Sequence, residues 1–201
     1  MPQTMTDESP IPFIGVRLRE NRTPAGRRTR APARRAALYF AYGRDHSVHD
    51  RPAQPEEKQR GEWLGPDGRS HTHEAVMAWA KEAALNHRYT FEALLSVQQG
   101  ELTPEQFCQA MSQSGEIGDW RLVSHQDTAH RHAHVLFFRD KRLDKTTFLA
   151  WQTAVRQELA RLEQQQLAAA PLADLEKEVQ SETTLTAEPK RAWRQEVGLG
   201  W

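Results

Sequence analysis

Cysteine is almost absent from this chain, and the single Cys108 rules out an intramolecular disulfide and any cluster of thiolate ligands. It sits in a helical pattern, where an inert buried thiol is expected. Tyrosine is scarce as well: Tyr39, Tyr42 and Tyr89 are the only phenols, so phenol chemistry has few places to occur. No apolar run approaches the length of a membrane span, and the opening Met-Pro-Gln-Thr-Met-Thr lacks the form of a signal peptide, so a cytoplasmic location is expected. There is no internal repeat. Net charge is absent too, with 27 basic and 27 acidic side chains, which at first removes the electrostatic argument for nucleic acid. Distribution restores it. Residues 1–35 carry eight arginines against three acids, whereas residues 158–201 carry eight acids against five bases. A basic segment of this kind is the footprint expected for a phosphate backbone, although a solvated arm would look the same.

Histidine, by contrast, is concentrated. Four of the nine histidines fall in the ten residues His125-Gln126-Asp127-Thr128-Ala129-His130-Arg131-His132-Ala133-His134. The flanks, 120–125 and 131–138, are apolar or alternating over strand lengths, which predicts two strands joined by a polar turn at 126–130. Side chains two apart in a strand share a face, so His132 and His134 stand together while Ala133, Val135 and Phe137 point to a core. If the strands are antiparallel, His125 reaches the same point. Three convergent neutral imidazoles suit a divalent metal ion and leave positions open for water or a phosphate oxygen. Asp127 is placed to hold the second ring nitrogen of a metal-bound histidine. A plain surface cluster of strand histidines is the alternative, weakened by Asp127 and by the apolar strand that follows.

The rest of the chain reads as one domain with tails. Residues 11–18 predict a first strand, 19–32 an arginine-rich loop, and 33–42 a short helix on which Tyr39 and Tyr42 share a face. The stretch 45–68 reads as a long loop with a hairpin around Trp63 to Gly68, and His46, His49, His71 and His73 as solvated. Thr72 caps a helix to about Asn86, 88–97 is a central strand, and Thr103-Pro104-Glu105-Gln106 opens another helix. A last helix spans 146–166, with Phe148, Trp151, Val155, Leu159 and Leu162 on one stripe. The expected organisation is a disordered 1–10, a folded domain over 11–166, and an acidic tail over 167–201, partly helical or disordered, with Trp193 and Trp201 as docking points. This predicts an α+β fold: a single antiparallel sheet with helices packed on one face, leaving the histidine face open.

The pattern His125-x-Asp127-Thr128-x-x-x-His132-x-His134 before an apolar strand resembles the metal-binding motif of plasmid relaxases, the MOBP-like mobilisation nucleases of the HUH endonuclease superfamily. Leu38-Tyr39-Phe40, on a helix after a first strand and a basic loop, resembles their nucleophile motif. No tyrosine follows His134, unlike in replication initiators and small transposases of the superfamily. His130 falls at a variable position and takes no role.

The resemblance covers about residues 11–166 and implies that they form a relaxase-like HUH nuclease domain, with the arginine-rich loop at 17–35. It implies Mg²⁺ or Mn²⁺ held by His125, His132 and His134, and attack by Tyr39, or else Tyr42, on a scissile phosphate to leave a 5′-phosphotyrosine. Asp127 would be the base or would orient a histidine. It further implies single-stranded or hairpin plasmid DNA at a transfer origin as substrate, with accessory relaxosome proteins and a coupling protein as partners. Arg27, Arg28, Arg30, Arg34 and Arg35 are the candidates for backbone contact. Two other classes stay open: a non-cleaving accessory DNA-binding protein, and a metal-dependent hydrolase using water.

Overall fold

The computed structural model describes residues 11–43, 59–113, 115, 117–126 and 130–185, the side chains of the last helix only as far as residue 169. The chain divides into two compact units after Gln166. In the first, the elements run β1 (Phe13–Glu20), α1 (Ala31–Tyr42), β2 (Trp63–Leu64), β3 (Ser70–His71), α2 (His73–Asn86), β4 (Tyr89–Ser96), α3 (Pro104–Ser112), β5 (Trp120–His125) and β6 (His132–Arg139), and α4 (Lys145–Leu185) begins there. The second unit is helical to Leu185. The expected features at 1–10, His46, His49, Trp193 and Trp201 lie outside the described residues.

The fold is α+β, with one six-stranded sheet in the order β1-β4-β6-β5-β2-β3, every pairing antiparallel. The hairpin expected around Trp63 is real: β2 and β3 pair with each other, and β2 extends the sheet beside β5. Local signals set the helix starts. Thr72 accepts the Ala75 N–H at 3.2 Å. Thr103 and Gln106 form a reciprocal capping box. Asp144 accepts the Thr147 N–H at 2.9 Å, ahead of the stripe on α4. Helix α1 stops at Gly43, whose φ of 99° is open to glycine and strained for other residues.

Helices cover both faces, not one. On the first face, α3 and α4 pack Phe107, Met111, Trp151, Val155 and Leu159 against Phe91, Leu95, Val135 and Phe137. Phe91 and Phe137 stack there with centroids 4.8 Å apart. On the face that carries the histidines, α1 and α2 cover Trp63, Val123, Leu136 and Phe138 with a layer rich in alanine: Ala33, Ala36, Ala37, Ala41, Ala80 and Ala84. The reason lies in β6, where six consecutive residues from Ala133 to Phe138 are buried. A strand apolar on both faces cannot leave either one in water. Alanine lets both helices lie close enough to seal it.

Cys108 is buried, and burial, with the Glu105 carboxylate nearby, pushes its thiol up to about 12. It is an inert packing residue, as expected. His73 departs from expectation: it is half-buried, with its ring edge-on to Tyr42 at 5.0 Å.

Candidate metal centre

Strand register assembles the site. His125 is directly opposite His132 in the β5–β6 ladder, and His134 is two residues along on the same face. The three rings stand edge to face, with centroids 4.9, 5.0 and 5.3 Å apart, and one nitrogen from each lies within 4.8 Å of the others. Among the described residues this is the one such group of histidine, cysteine or carboxylate side chains.

Hydrogen bonds to the backbone fix how the first two rings are used. His125 Nε2 lies 2.7 Å from the Phe40 carbonyl, which can only accept, so Nε2 carries the hydrogen and Nδ1 keeps the lone pair. His132 Nδ1 lies 3.2 Å from the His130 carbonyl, so there Nε2 keeps the lone pair. Those two lone-pair nitrogens face each other at 3.1 Å. A cation between them would satisfy both, and 3.1 Å is the separation of two nitrogens each about 2.1 Å from a shared ion at roughly a right angle. The donor set therefore fits a divalent metal.

His134 is nearly buried, its ring stacked on Phe40 at 4.4 Å and 17°. Burial, followed by the nearby His125, His132 and Arg60, pushes its imidazole down from 6.5 to about 3. At neutral pH no proton must leave before it can coordinate. The same shift makes acid destabilising. In the unfolded chain His134 regains its ordinary value and protonates first as pH falls, so its contribution is whole above about pH 6.5 and is lost progressively toward pH 3. In urea titrations of metal-free protein, the midpoint should fall across that window, and His134→Gln should flatten the slope. Identical slopes would overturn the assignment.

Tyr39 and Tyr42 separate here. The Tyr39 ring stands edge-on to His134 with centroids 5.6 Å apart, whereas Tyr42 meets His73. Beside Tyr39 and His134 a cavity of about 310 Å³ opens, lined also by Phe13, Gly15, Arg17 and Leu94. A Cβ on Gly15 would come within 3.0 Å of the Phe13 ring, so glycine keeps this floor clear. Asp127 and Thr128 lie outside the described residues.

The predicted arginines sit elsewhere. Arg27, Arg28 and Arg30 are exposed on a tight loop closed by the Arg22–Arg28 bridge, with half-buried Arg34 and exposed Arg35 near the start of α1. This loop follows Glu20, while Phe13, at the other end of β1, lies across Ser96 from His132. The separation along the strand is roughly 23 Å at ordinary strand rise. Asn21 ties the loop to that end through a buried 2.7 Å hydrogen bond from Thr90 Oγ1.

Sequence reasoning missed two carbonyl partners, Phe40 and His130, and it counted Arg17 only as one of the arginines of the 17–35 segment, without placing it beside the histidines. Backbone acceptors leave no trace in residue type. Arg17 did have a signal, since Phe13, Gly15 and Arg17 alternate onto the histidine face. Comparison with protein-family models, curated proteins and solved structures gives no match for the chain.

Proposed function

We propose that the protein is a DNA-nicking relaxase that cleaves single-stranded DNA at a plasmid transfer origin by metal-assisted tyrosine transesterification. The observation that carries this reading is the approach of Tyr39 to His134, 5.6 Å between rings, beside three imidazoles whose lone pairs converge. The resemblance of the histidine and tyrosine motifs to those of relaxases supplies the substrate class.

Tyr39 Oη attacks phosphorus. An oxygen–phosphorus bond forms, the bond to the 3′ oxygen breaks, and the 3′ oxygen leaves as a hydroxyl, with the 5′-phosphate held on the tyrosine. His134, held neutral and weakly basic, is a poor acceptor for the phenolic proton; Asp127 is the candidate the sequence offers. A divalent ion on His125, His132 and His134 would polarise a non-bridging oxygen of the scissile phosphate. Three imidazole donors favour Mn²⁺ over Mg²⁺, which prefers oxygen ligands. Arg30 is the N-cap of α1, Arg34 closes its first turn and Arg35 follows, at the helix end where the dipole disfavours cations, and the first turn itself carries no acidic residue. Bound phosphates would relieve that cost, and Arg27 and Arg28 extend the same surface.

The test is a denaturing gel of protein incubated with 3′-labelled single-stranded transfer-origin DNA and Mn²⁺. A retarded covalent band is expected for the wild type, lost with chelator and with His132→Ala. Cleavage without the band would replace the reading by a hydrolase using water. Binding without cleavage across several origins would replace it by an accessory DNA-binding module.

A further inference from the structure

Glu163 lies on α4, which packs on the sheet face away from the histidines, yet its buried carboxylate is tied to them. One oxygen, Oε1, accepts three successive backbone N–H groups, from Gln98 at 3.0 Å, Gln99 at 2.6 Å and Gly100 at 3.0 Å. Gln166 adds a reciprocal pair with the Glu101 backbone, at 2.7 and 2.8 Å. Gly100 belongs to the same fit: a Cβ there would stand 3.0 Å from Glu163 Cγ, so the loop can approach α4 this closely only with glycine. Together these contacts clamp the segment that follows β4 onto the helix.

The other side of that segment holds the residues leading into β6. The Val97 N–H donates to the Arg131 carbonyl at 3.1 Å, and the His130 ring bonds the Gln98 carbonyl at 3.3 Å. The Arg131 guanidinium pairs with Glu101 at 3.4 Å. The His130 carbonyl then accepts from His132 Nδ1, which leaves Nε2 facing His125. We infer that Glu163 is a positioning residue for the metal centre, acting through the 98–100 backbone and His130 to fix the place and tautomer of His132. The inference rests on reading the three histidines as a metal centre, independently of what the centre does to DNA.

The physical reason is that His132 needs outside support. It sits at the first position of β6 and is the most exposed of the three histidines, so packing holds it less than it holds His125 or His134. Partners that orient a ligand in this way usually matter 10- to 100-fold in metal affinity, by general experience of such shells, roughly. Glu163→Gln removes the charge that draws three N–H groups together while keeping the shape.

The experiment is a Co²⁺ titration followed by visible absorption, on wild type, Glu163→Gln and the control Glu158→Gln, which alters a different α4 carboxylate, paired with Arg161. Long-range nitrogen–proton NMR of the metal-free proteins reports the His132 tautomer alongside. Glu163→Gln should bind Co²⁺ about tenfold more weakly, with changed band intensities and a mixed His132 tautomer, while Glu158→Gln matches wild type. A merely structural Glu163 would lower the melting temperature and leave affinity, spectrum and tautomer of the folded protein alone; that result overturns the proposal. If Glu163→Gln does not fold, His130→Ala breaks the chain of contacts at an exposed residue, and wild-type affinity and tautomer there would overturn it equally. Wild-type protein that takes up no Co²⁺ would sink the metal centre and the relay together. Uptake by wild type with an unchanged Glu163→Gln would sink the relay alone.

Discussion

Replacing Tyr39 by phenylalanine is expected to remove the covalent protein–DNA band by about a thousandfold or more, while Tyr42→Phe keeps it. The substitution deletes one oxygen and leaves the ring, so the edge contact with His134 and the packing on Phe40 persist. Binding of single-stranded DNA, followed by fluorescence anisotropy, should stay within about twofold, because the nucleophile adds little to ground-state affinity. The two tyrosines are three apart on α1 and differ by about 60° around the helix, so spacing alone cannot choose between them. What chooses is the seat of the helix on the sheet, set by buried Ala33, Ala37 and Phe40. That seat turns Tyr39 toward His134 and Tyr42 toward His73. An adduct that survives Tyr39→Phe and disappears in Tyr42→Phe would reverse the assignment.

Removing His125 should cost the most, in two ways that can be measured apart. His125→Ala deletes one of the three candidate ligands, and metal affinity by calorimetry should fall at least about 100-fold. It also strips the buried Phe40 carbonyl of its partner, since His125 is 1% exposed and donates to that oxygen at 2.7 Å. An unsatisfied buried acceptor costs about 1–3 kcal/mol, which urea unfolding in the presence of chelator should register. His132→Ala should match the loss of metal affinity with a much smaller loss of metal-free stability, because that ring is half-exposed. Equal stabilities of the two metal-free variants would mean that the Phe40 contact contributes nothing.

Much of this centre was legible in the sequence because strand geometry is periodic. His132 and His134 had to share a face, and Ala133, Val135 and Phe137 had to take the other, once β6 was recognised as a strand. The caps at Thr72 and Thr103 were legible for a similar reason, being local interactions between near neighbours in sequence. The cover over the histidine face was harder to see. Leu136 and Phe138 were visible as apolar residues, but the helices that bury them are alanine-rich and weakly amphipathic, so their sequence did not declare which face they would take. The partners of His125 and His132 are backbone carbonyls, and Glu163 binds backbone N–H groups 63–65 residues away. Contacts of that kind follow from tertiary placement, and no residue type marks them in advance.

The arrangement of β1 gives the molecule a polarity. Its Phe13 end adjoins the imidazoles and its Glu20 end feeds the arginine loop, with Arg17 between them on the same face as His134. A linear polyanion touching both ends meets chemically unlike sites, so turning it end for end would put each part against the wrong partner. For the proposed DNA substrate, orientation would be set by the scaffold, as a ratchet sets direction before load. A single strand of the proposed substrate running the opposite way would still meet the arginine loop but would bring its other end to Tyr39 and the imidazoles.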